Sequence, residues 1–371
     1  MLAASAPAII WDKPGAIPPA QTPPPASPDP FCDESYANDP PAGGRRIEFG
    51  IGPRLAGEAG SGQTTPVVAE NKRKRDAALE RLRGKRPMRV RLNRLFQADG
   101  KAGIERFERM ARHYASLGFD VEIQVRYHPA PERDGDIGAW LDYVRRVVRG
   151  FGPIKHVVSL QITNEVNISF SPNTSDGAYA NAVEALARGV PAAKREAERD
   201  GFDQLTTGFN YAWRFGDADA DFWRAVGAAG GKRLRRATDW VGIDVYPGTF
   251  VPPTMTNPGD ALLEAVAQVR ECYMPLAGLG HRTPIHLEEF GYPTGPGRTE
   301  AGQAAALEAF VHTLHRYRGT YGITNANWFG LRDNNSAGPD FQSFFGLLRD
   351  DYSPKPAFGE YRRLIRKLGP R

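Results

Sequence analysis

Two glutamates stand where a β-type run of residues stops. Glu165 closes Val157-Val158-Ser159-Leu160-Gln161-Ile162-Thr163-Asn164. Glu289 closes Thr283-Pro284-Ile285-His286-Leu287-Glu288 and precedes Phe290-Gly291. Apolar strands usually run into turn residues such as Gly, Asn or Asp. A carboxylate at that place sits on the rim of a sheet, within reach of a ligand. Two carboxylates facing one pocket can split a glycosidic bond, one protonating the leaving oxygen and the other attacking the sugar carbon. The two glutamates lie 124 positions apart (165 to 289), so the fold must bring them together.

From about residue 45 the chain alternates β-rich runs with helical periods. Eight runs beginning near Ile47, Met88, Val121, Val157, Leu205, Trp240, Pro284 and Ile323 read as strands. Between them, apolar residues recur every three or four positions. Ile104, Phe107, Met110, Tyr114 and Leu117 form one such face, and Ile137, Trp140, Leu141, Val144, Val147 and Val148 another. This is the spacing of amphipathic helices. Alternation of this kind implies right-handed βαβ units and a parallel sheet, and eight units favour closure into an α/β (β/α)8 TIM barrel. A dinucleotide-binding sheet is the weaker reading. No G-x-G-x-x-G follows the first strand, and Gly50-Ile51-Gly52-Pro53 places a proline where a phosphate needs an N–H.

The expected organisation is a Pro-rich leader or arm over residues 1–44 and one catalytic domain over residues 45–371. Residues 1–41 hold 11 of the 31 prolines, including Pro23-Pro24-Pro25. Such a segment is extended and carries no core of its own.

Composition narrows the partners. The chain has 371 residues, 41% of them hydrophobic, and a net charge of +5, enough for one large core and only mildly basic. Lys72-Arg73-Lys74-Arg75 is followed by Asp76 and Glu80 and reads as the solvated face of a helix. No basic stripe interleaved with aromatics appears, so no nucleic-acid partner is expected. No run of 18 apolar residues exists, so no membrane span is expected either. A monomer is the expected state. Two cysteines, Cys32 and Cys272, with no CxxC or HExxH, argue against a metal site, and no cofactor is expected. The pair fits one disulfide or two thiols equally. Ala4-Ser5-Ala6 looks like the cleavage end of an export signal, although what precedes it is too short for one. A secreted or cell-envelope location is therefore expected, with the cytoplasm as the other option.

In a barrel of this type all strands point the same way, and active sites gather where they end. The strand ends supply Arg91, Asn93 and Arg94; Arg126, Tyr127 and His128; Asn164 and Glu165; Asn210, Tyr211 and Trp213; Asp244 and Tyr246; Glu288 and Glu289; and Asn327, Trp328 and Arg332. Amides and charges suit sugar hydroxyls, and aromatic faces suit the C–H face of a ring.

Asn164-Glu165 on the fourth strand, Tyr246 on the sixth, Glu289-Phe290-Gly291 on the seventh and Trp328 on the eighth resemble clan A of the glycoside hydrolases, the retaining (β/α)8 glycosidases. The resemblance implies Glu165 as general acid/base and Glu289 as nucleophile. It implies that Asn164 binds the sugar 2-hydroxyl, that Tyr246 and Arg91 hold the nucleophile, and that Trp328 floors the subsite beside the cleaved bond. His128 would contact the sugar, and Asn210 joins the expected substrate contacts. Plainer readings stand beside these: Trp328 as a core aromatic, and Tyr246 as packing in the turn before Pro247-Gly248. Successive strand residues point to opposite faces, so Glu288 is expected to face the helices. The implied activity is hydrolysis of β-linked poly- or oligosaccharide by double displacement. A non-catalytic carbohydrate-binding barrel, or a transglycosylase using the same glutamates, is the alternative.

Overall fold

The computed structural model describes residues 39–53, 67–171, 174–213, 219–250, 255–338 and 341–371. Most of the Pro-rich leader, and Cys32 with its pairing to Cys272, lie outside the described residues.

Eight strands run β1 Glu48–Ile51, β2 Arg89–Phe96, β3 Asp120–Arg126, β4 Val157–Ile162, β5 Thr206–Ala212, β6 Trp240–Val245, β7 Ile285–Phe290 and β8 Ile323–Trp328. Each pairs in parallel with the next, and β8 pairs with β1, so the sheet closes into a barrel. Every strand begins within one residue of its expected start. The outer ring comprises α1 Lys72–Arg83, α2 Gly100–Ser116, α3 Ile137–Phe151, α4 Ala182–Arg199, α5 Asp219–Ala237, α6 Pro258–Gln268, the short α7 Met274–Leu276, α8 Glu300–Tyr317 and α9 Pro356–Leu368.

The sequence accounts for this ring locally. Asn71, Asp136 and Thr299 each accept a backbone N–H from the first turn of the helix they precede, which satisfies donors that a helix start leaves orphaned. Along α3, Ile137, Trp140, Leu141, Val144, Val147 and Val148 are buried together, as their spacing predicts. That stripe packs the helix onto the outside of the barrel and removes apolar surface from water.

The inside of the barrel differs from the usual packing of branched apolar side chains. It is charged. Arg89 donates to Glu48 at 2.6 Å and to Glu122 at 3.0 Å. Arg91 donates to Glu288 at 2.9 Å and to Gln161 at 2.6 Å. Space for these long side chains comes from glycine on neighbouring strands. A Cβ on Gly242 would lie 2.6 Å from Glu288 Cγ and 2.9 Å from Asn210 Cβ. Buried charges of this kind persist only when paired, because removing one partner leaves the other unsolvated.

One expectation fails here. Glu288 does not face the helices. It is buried inside the barrel, where it meets Arg91, His286 Nδ1 at 3.1 Å and Asn327 Nδ2 at 3.3 Å. Strict alternation assumes a regular ladder. The register of β7 shifts against β6 between Ile243 and Asp244, and against β8 between Leu287 and Phe290. Irregularities of this type re-aim side chains, and both Glu288 and Glu289 reach Arg91.

Candidate active site

The end of β4 carries unusual backbone. Thr163 and Glu165 hold φ of 66° and 45°, a left-handed conformation that costs a residue other than glycine on the order of 1–3 kcal/mol. The surroundings enforce it. Asp176, on the loop after β4, accepts the backbone N–H of Asn164 and of Tyr127, both at 2.9 Å, and the Arg126 Nε at 2.6 Å. Its own N–H donates to the Asn164 carbonyl at 2.8 Å. This one carboxylate clamps the loop onto the ends of β3 and β4. The Glu165 N–H then donates to Asn210 Oδ1 at 2.9 Å.

The Glu165 side chain enters a pocket of ≈350 Å³ that Glu289 also lines. An oxygen of Glu165, one of Asp244 and one of Glu289 all lie within 4.8 Å of one another. The environments of the two glutamates differ. Glu289 receives Arg91 Nη1 on one oxygen and Tyr246 Oη on the other, each at 2.7 Å. A negative charge on that carboxylate is met by donors on both sides. Glu165 receives the Ser175 hydroxyl, Oγ at 2.7 Å, and a hydrogen bond from Asp244. Burial and the charge of Glu289 push its pKa up to about 7. The two carboxyls thus differ in their surroundings: Glu289 meets a guanidinium and a phenol, and Glu165 is shifted toward its acid form.

Asp244 is the third carboxyl of the cluster. Burial, then the neighbouring Glu289 and Glu165, raise its pKa well above the ordinary value. Asn210 Nδ2 donates to one of its oxygens, and it is hydrogen-bonded to Glu165. Among the described residues, two clusters of ligand-type side chains have donor atoms close enough for one ion, Glu165–Asp244–Glu289 and Glu122–His286–Glu288. In both, the Arg91 guanidinium already donates to a carboxylate and supplies the positive charge that a metal would bring.

The other expected contacts divide. Asn164 and Tyr246 line the pocket with the two glutamates. Asn164 Oδ1 is filled by Gln124, Gln161 and Asn210, and one Nδ2 hydrogen goes to the Thr174 carbonyl at 2.8 Å. Its remaining Nδ2 hydrogen is the group open to a ligand. Arg91 is buried against Glu289 and does not reach the pocket wall.

Three expectations are corrected. Trp328 is fully buried and packs on Phe290 and Tyr361, facing the helices. Phe329, one residue on, lines the pocket in its stead. Asn210 is fully buried, spends its amide on Glu165, Asn164 and Asp244, and is not among the residues that line the pocket. His128 lies between the rings of Phe96 at 4.7 Å and Tyr179 at 5.1 Å, outside the pocket lining. Residues at the strand ends and in the loops that received no role from sequence do line it: Asn93, Arg94, Gln124, Arg126 and a set of phenylalanines. Their only sequence signal was position in the last residues of a strand or in the loop after one. The clamp Asp176 gave none, because it lies in a loop 11 residues beyond Glu165.

No protein-family profile matches the chain, and no curated protein matches it in sequence. Solved structures match its fold. A glycoside hydrolase of family 5, subfamily 18, from Bifidobacterium longum subsp. longum gives a TM-score of 0.60 at 14% identity, over 87% of this chain and 79% of that one. A family 1 β-glucosidase from Thermotoga maritima, in complex with isofagomine lactam, gives 0.57 at 14% identity, over 91% and 97%. A family 17 β-1,3-glucanosyltransferase from Rhizomucor miehei gives 0.54 at 14% identity, over 84% and 96%. These glycoside hydrolases share the (β/α)8 barrel of this chain, the fold expected from its strand–helix alternation. Among the described residues, no helix is long and apolar enough to cross a membrane.

Proposed function

We propose that this chain hydrolyses β-glycosides by double displacement, with Glu289 as nucleophile and Glu165 as acid/base. One observation carries the reading: oxygens of the two carboxyls lie within 4.8 Å across one pocket, while their hydrogen-bond partners differ in charge. A retaining mechanism needs the carboxyls roughly 5–5.5 Å apart, and an inverting one needs about 6.5–9.5 Å to hold a water between them. The closeness of their oxygens supports the retaining arrangement.

In the first step Glu289 attacks the anomeric carbon, and the bond from that carbon to the leaving oxygen breaks. The proton of Glu165 goes to the leaving oxygen, releasing an alcohol and a glycosyl ester of Glu289. Glu165, now ionised, takes a proton from water, and the water oxygen attacks the anomeric carbon from the face the leaving oxygen vacated, breaking its bond to Glu289 and restoring the β configuration. Arg91 and Tyr246 hold Glu289 in line for both steps. Likeness of fold to a β-glucosidase and to a β-1,3-glucanosyltransferase supports this assignment.

The test is the stereochemistry of the first product. The native enzyme is incubated with β-glycosyl fluorides of glucose, mannose, galactose, xylose and N-acetylglucosamine, and early proton NMR spectra are recorded. The β-anomer appearing before mutarotation is the expected result. Initial release of the α-anomer, or no turnover of any fluoride, overturns the proposal.

A further inference from the structure

Among the described residues, the wall of the pocket is of two kinds. The side formed by β2, β3 and β4 presents Asn93, Arg94, Gln124, Arg126 and Asn164. The side formed by the loops after β6 and β8 presents Phe250, Phe329, Phe341 and Phe345 with Gln342 beside them, and the loop after β4 adds Ile168 and Phe170 together with Ser171 and Thr174. The rings on the second side form one continuous surface. Phe345 lies 5.5 Å from Phe329, 6.1 Å from Phe250 and 6.4 Å from Phe341, and it touches Tyr246, the donor to Glu289, at 5.5 Å. Phe170 is 70% exposed and Phe250 40% exposed. Large apolar side chains held open to water beside a polar site mark a surface meant to be covered.

A further sugar unit is a poor fit for that wall. Sugar rings stack on aromatic faces, but their hydroxyls project from the ring edge and need donors and acceptors there. The phenylalanines offer neither, and a hydroxyl desolvated against them would go unpaired, at a cost. The cavity of ≈350 Å³ is also near the lower end of small-molecule pockets, roughly 300–1,000 Å³. It suits one sugar and one group of similar size.

We propose, resting on the glycosidase reading, that the polar side binds the sugar and the phenylalanine side binds an apolar leaving group. The substrate class is then a small β-glycoside of an aromatic or alicyclic alcohol, and not a polysaccharide. Ile168 and Phe170 lie three and five residues beyond Glu165, on the loop that also carries Ser175. The apolar lip is thereby placed beside the acid that protonates the leaving oxygen.

Binding and turnover separate the inference from the reading beneath it. Calorimetry on Glu289→Gln compares the methyl and 2-naphthyl β-glycosides of the five sugars and the matching β-linked disaccharides. The naphthyl glycoside should bind roughly 30-fold more tightly than the methyl glycoside of the same sugar, from the apolar area it buries, and more tightly than the disaccharide. Phe170→Ala and Phe341→Ala, at the open edge of the wall, should each shrink that ratio several-fold. Equal affinities, tighter binding of the disaccharide, or no naphthyl binding overturns the inference. Glycosyl fluorides, whose leaving group is one atom, report on the glycosidase reading alone. Turnover of a fluoride without a naphthyl preference defeats the inference and leaves the reading intact. Naphthyl preference without turnover of any glycoside defeats the reading, and with it the claim that the apolar group is the one that leaves.

Discussion

Among the described residues, two buried clusters of carboxylates share one arginine, and one of them opens onto the pocket. The inner cluster joins Glu48, Glu122, Glu288, Arg89 and His286. The outer one joins Glu165, Asp244, Glu289 and Tyr246. Arg91 bridges them, giving Nε to Glu288 at 2.9 Å and Nη1 to Glu289 at 2.7 Å. In both, burial and like charge push a carboxyl upward: Glu122 to about 8 and Glu165 to about 7. A perturbed carboxyl is therefore a poor marker of function on its own. Access separates the clusters. Glu165 and Glu289 line the pocket, whereas Glu122 and Glu288 lie beneath it and are sealed. Two neighbours on one strand, Glu288 and Glu289, fall on either side of that boundary.

The sharpest way to break the comparison is to neutralise one neighbour and then the other. Glu289→Gln keeps size and hydrogen bonding and removes the nucleophile. It should lower kcat by about 10⁴-fold or more, as loss of a covalent nucleophile does, with the melting temperature little changed. Glu288→Gln leaves the pocket untouched and should retain most turnover while losing stability, because the Arg91 Nε loses a charged partner. If the two variants exchange these phenotypes on a confirmed substrate, the outer cluster has been assigned to the wrong glutamate.

The next effect in size belongs to Glu165. Glu165→Ala should cost about 10²–10⁴-fold on glycosides with poor leaving groups, the range of a lost general acid. Activated aryl glycosides, which depart without protonation, should suffer far less in their first step. Added azide should then restore turnover and give a β-glycosyl azide, since the small anion needs no base. A uniform loss across leaving groups, without azide rescue, would assign Glu165 to binding.

Much of this was legible in the sequence, for reasons tied to particular residues. The eight strands were readable because apolar and turn residues alternate without interruption from Ile47 to Trp328. That Glu165 and Glu289 meet at one pocket was readable because a carboxylate is out of place at the end of an apolar run. Trp328 was misplaced because the sequence does not say which face a residue takes at the last position of a strand. The structure turns Trp328 to the helices and Phe329 to the pocket. Glu288 was misplaced because a register shift leaves no signature in residue types. His128 and Asn210 were polar residues at strand ends whose partners, Tyr179 for one and Asp244 for the other, lie far along the chain.

Asp244 sets a smaller effect within the outer cluster. In the proposed mechanism the acid form of Glu165 is the active one in the first step, so kcat/KM should fall as pH rises through about 7. The hydrogen bond from Asp244 favours the ionised Glu165 and holds that value down. Asp244→Ala removes the donor and should move the descending limb to higher pH. Asp244→Asn keeps an N–H in its place and should leave the limb where it is. A limb that moves equally in both variants would mean that Asp244 acts through its charge.

The smallest expected effect on catalysis tests the sealed cluster. Glu122 is pushed up to about 8, first by burial and then by the charge and hydrogen bond of Glu288. At neutral pH it is therefore held protonated against Glu288. A carboxyl with a higher pKa folded than unfolded binds more protons in the folded state between the two values, here from 4.5 to about 8. Its contribution to stability is thus retained below pH 4.5, declines as pH rises through that window, and is lost above about 8. Glu122→Gln fixes the neutral form. It should leave turnover close to that of the native chain and flatten the decline of the melting temperature between pH 4.5 and 8. A variant that melts several degrees lower at pH 7, with the slope unchanged, would show that Glu122 carries its charge and that the Arg89 pair at 3.0 Å outweighs the repulsion from Glu288. The inner cluster would then be a set of ion pairs in which no proton is shared, and the likeness between the two clusters would end at their composition.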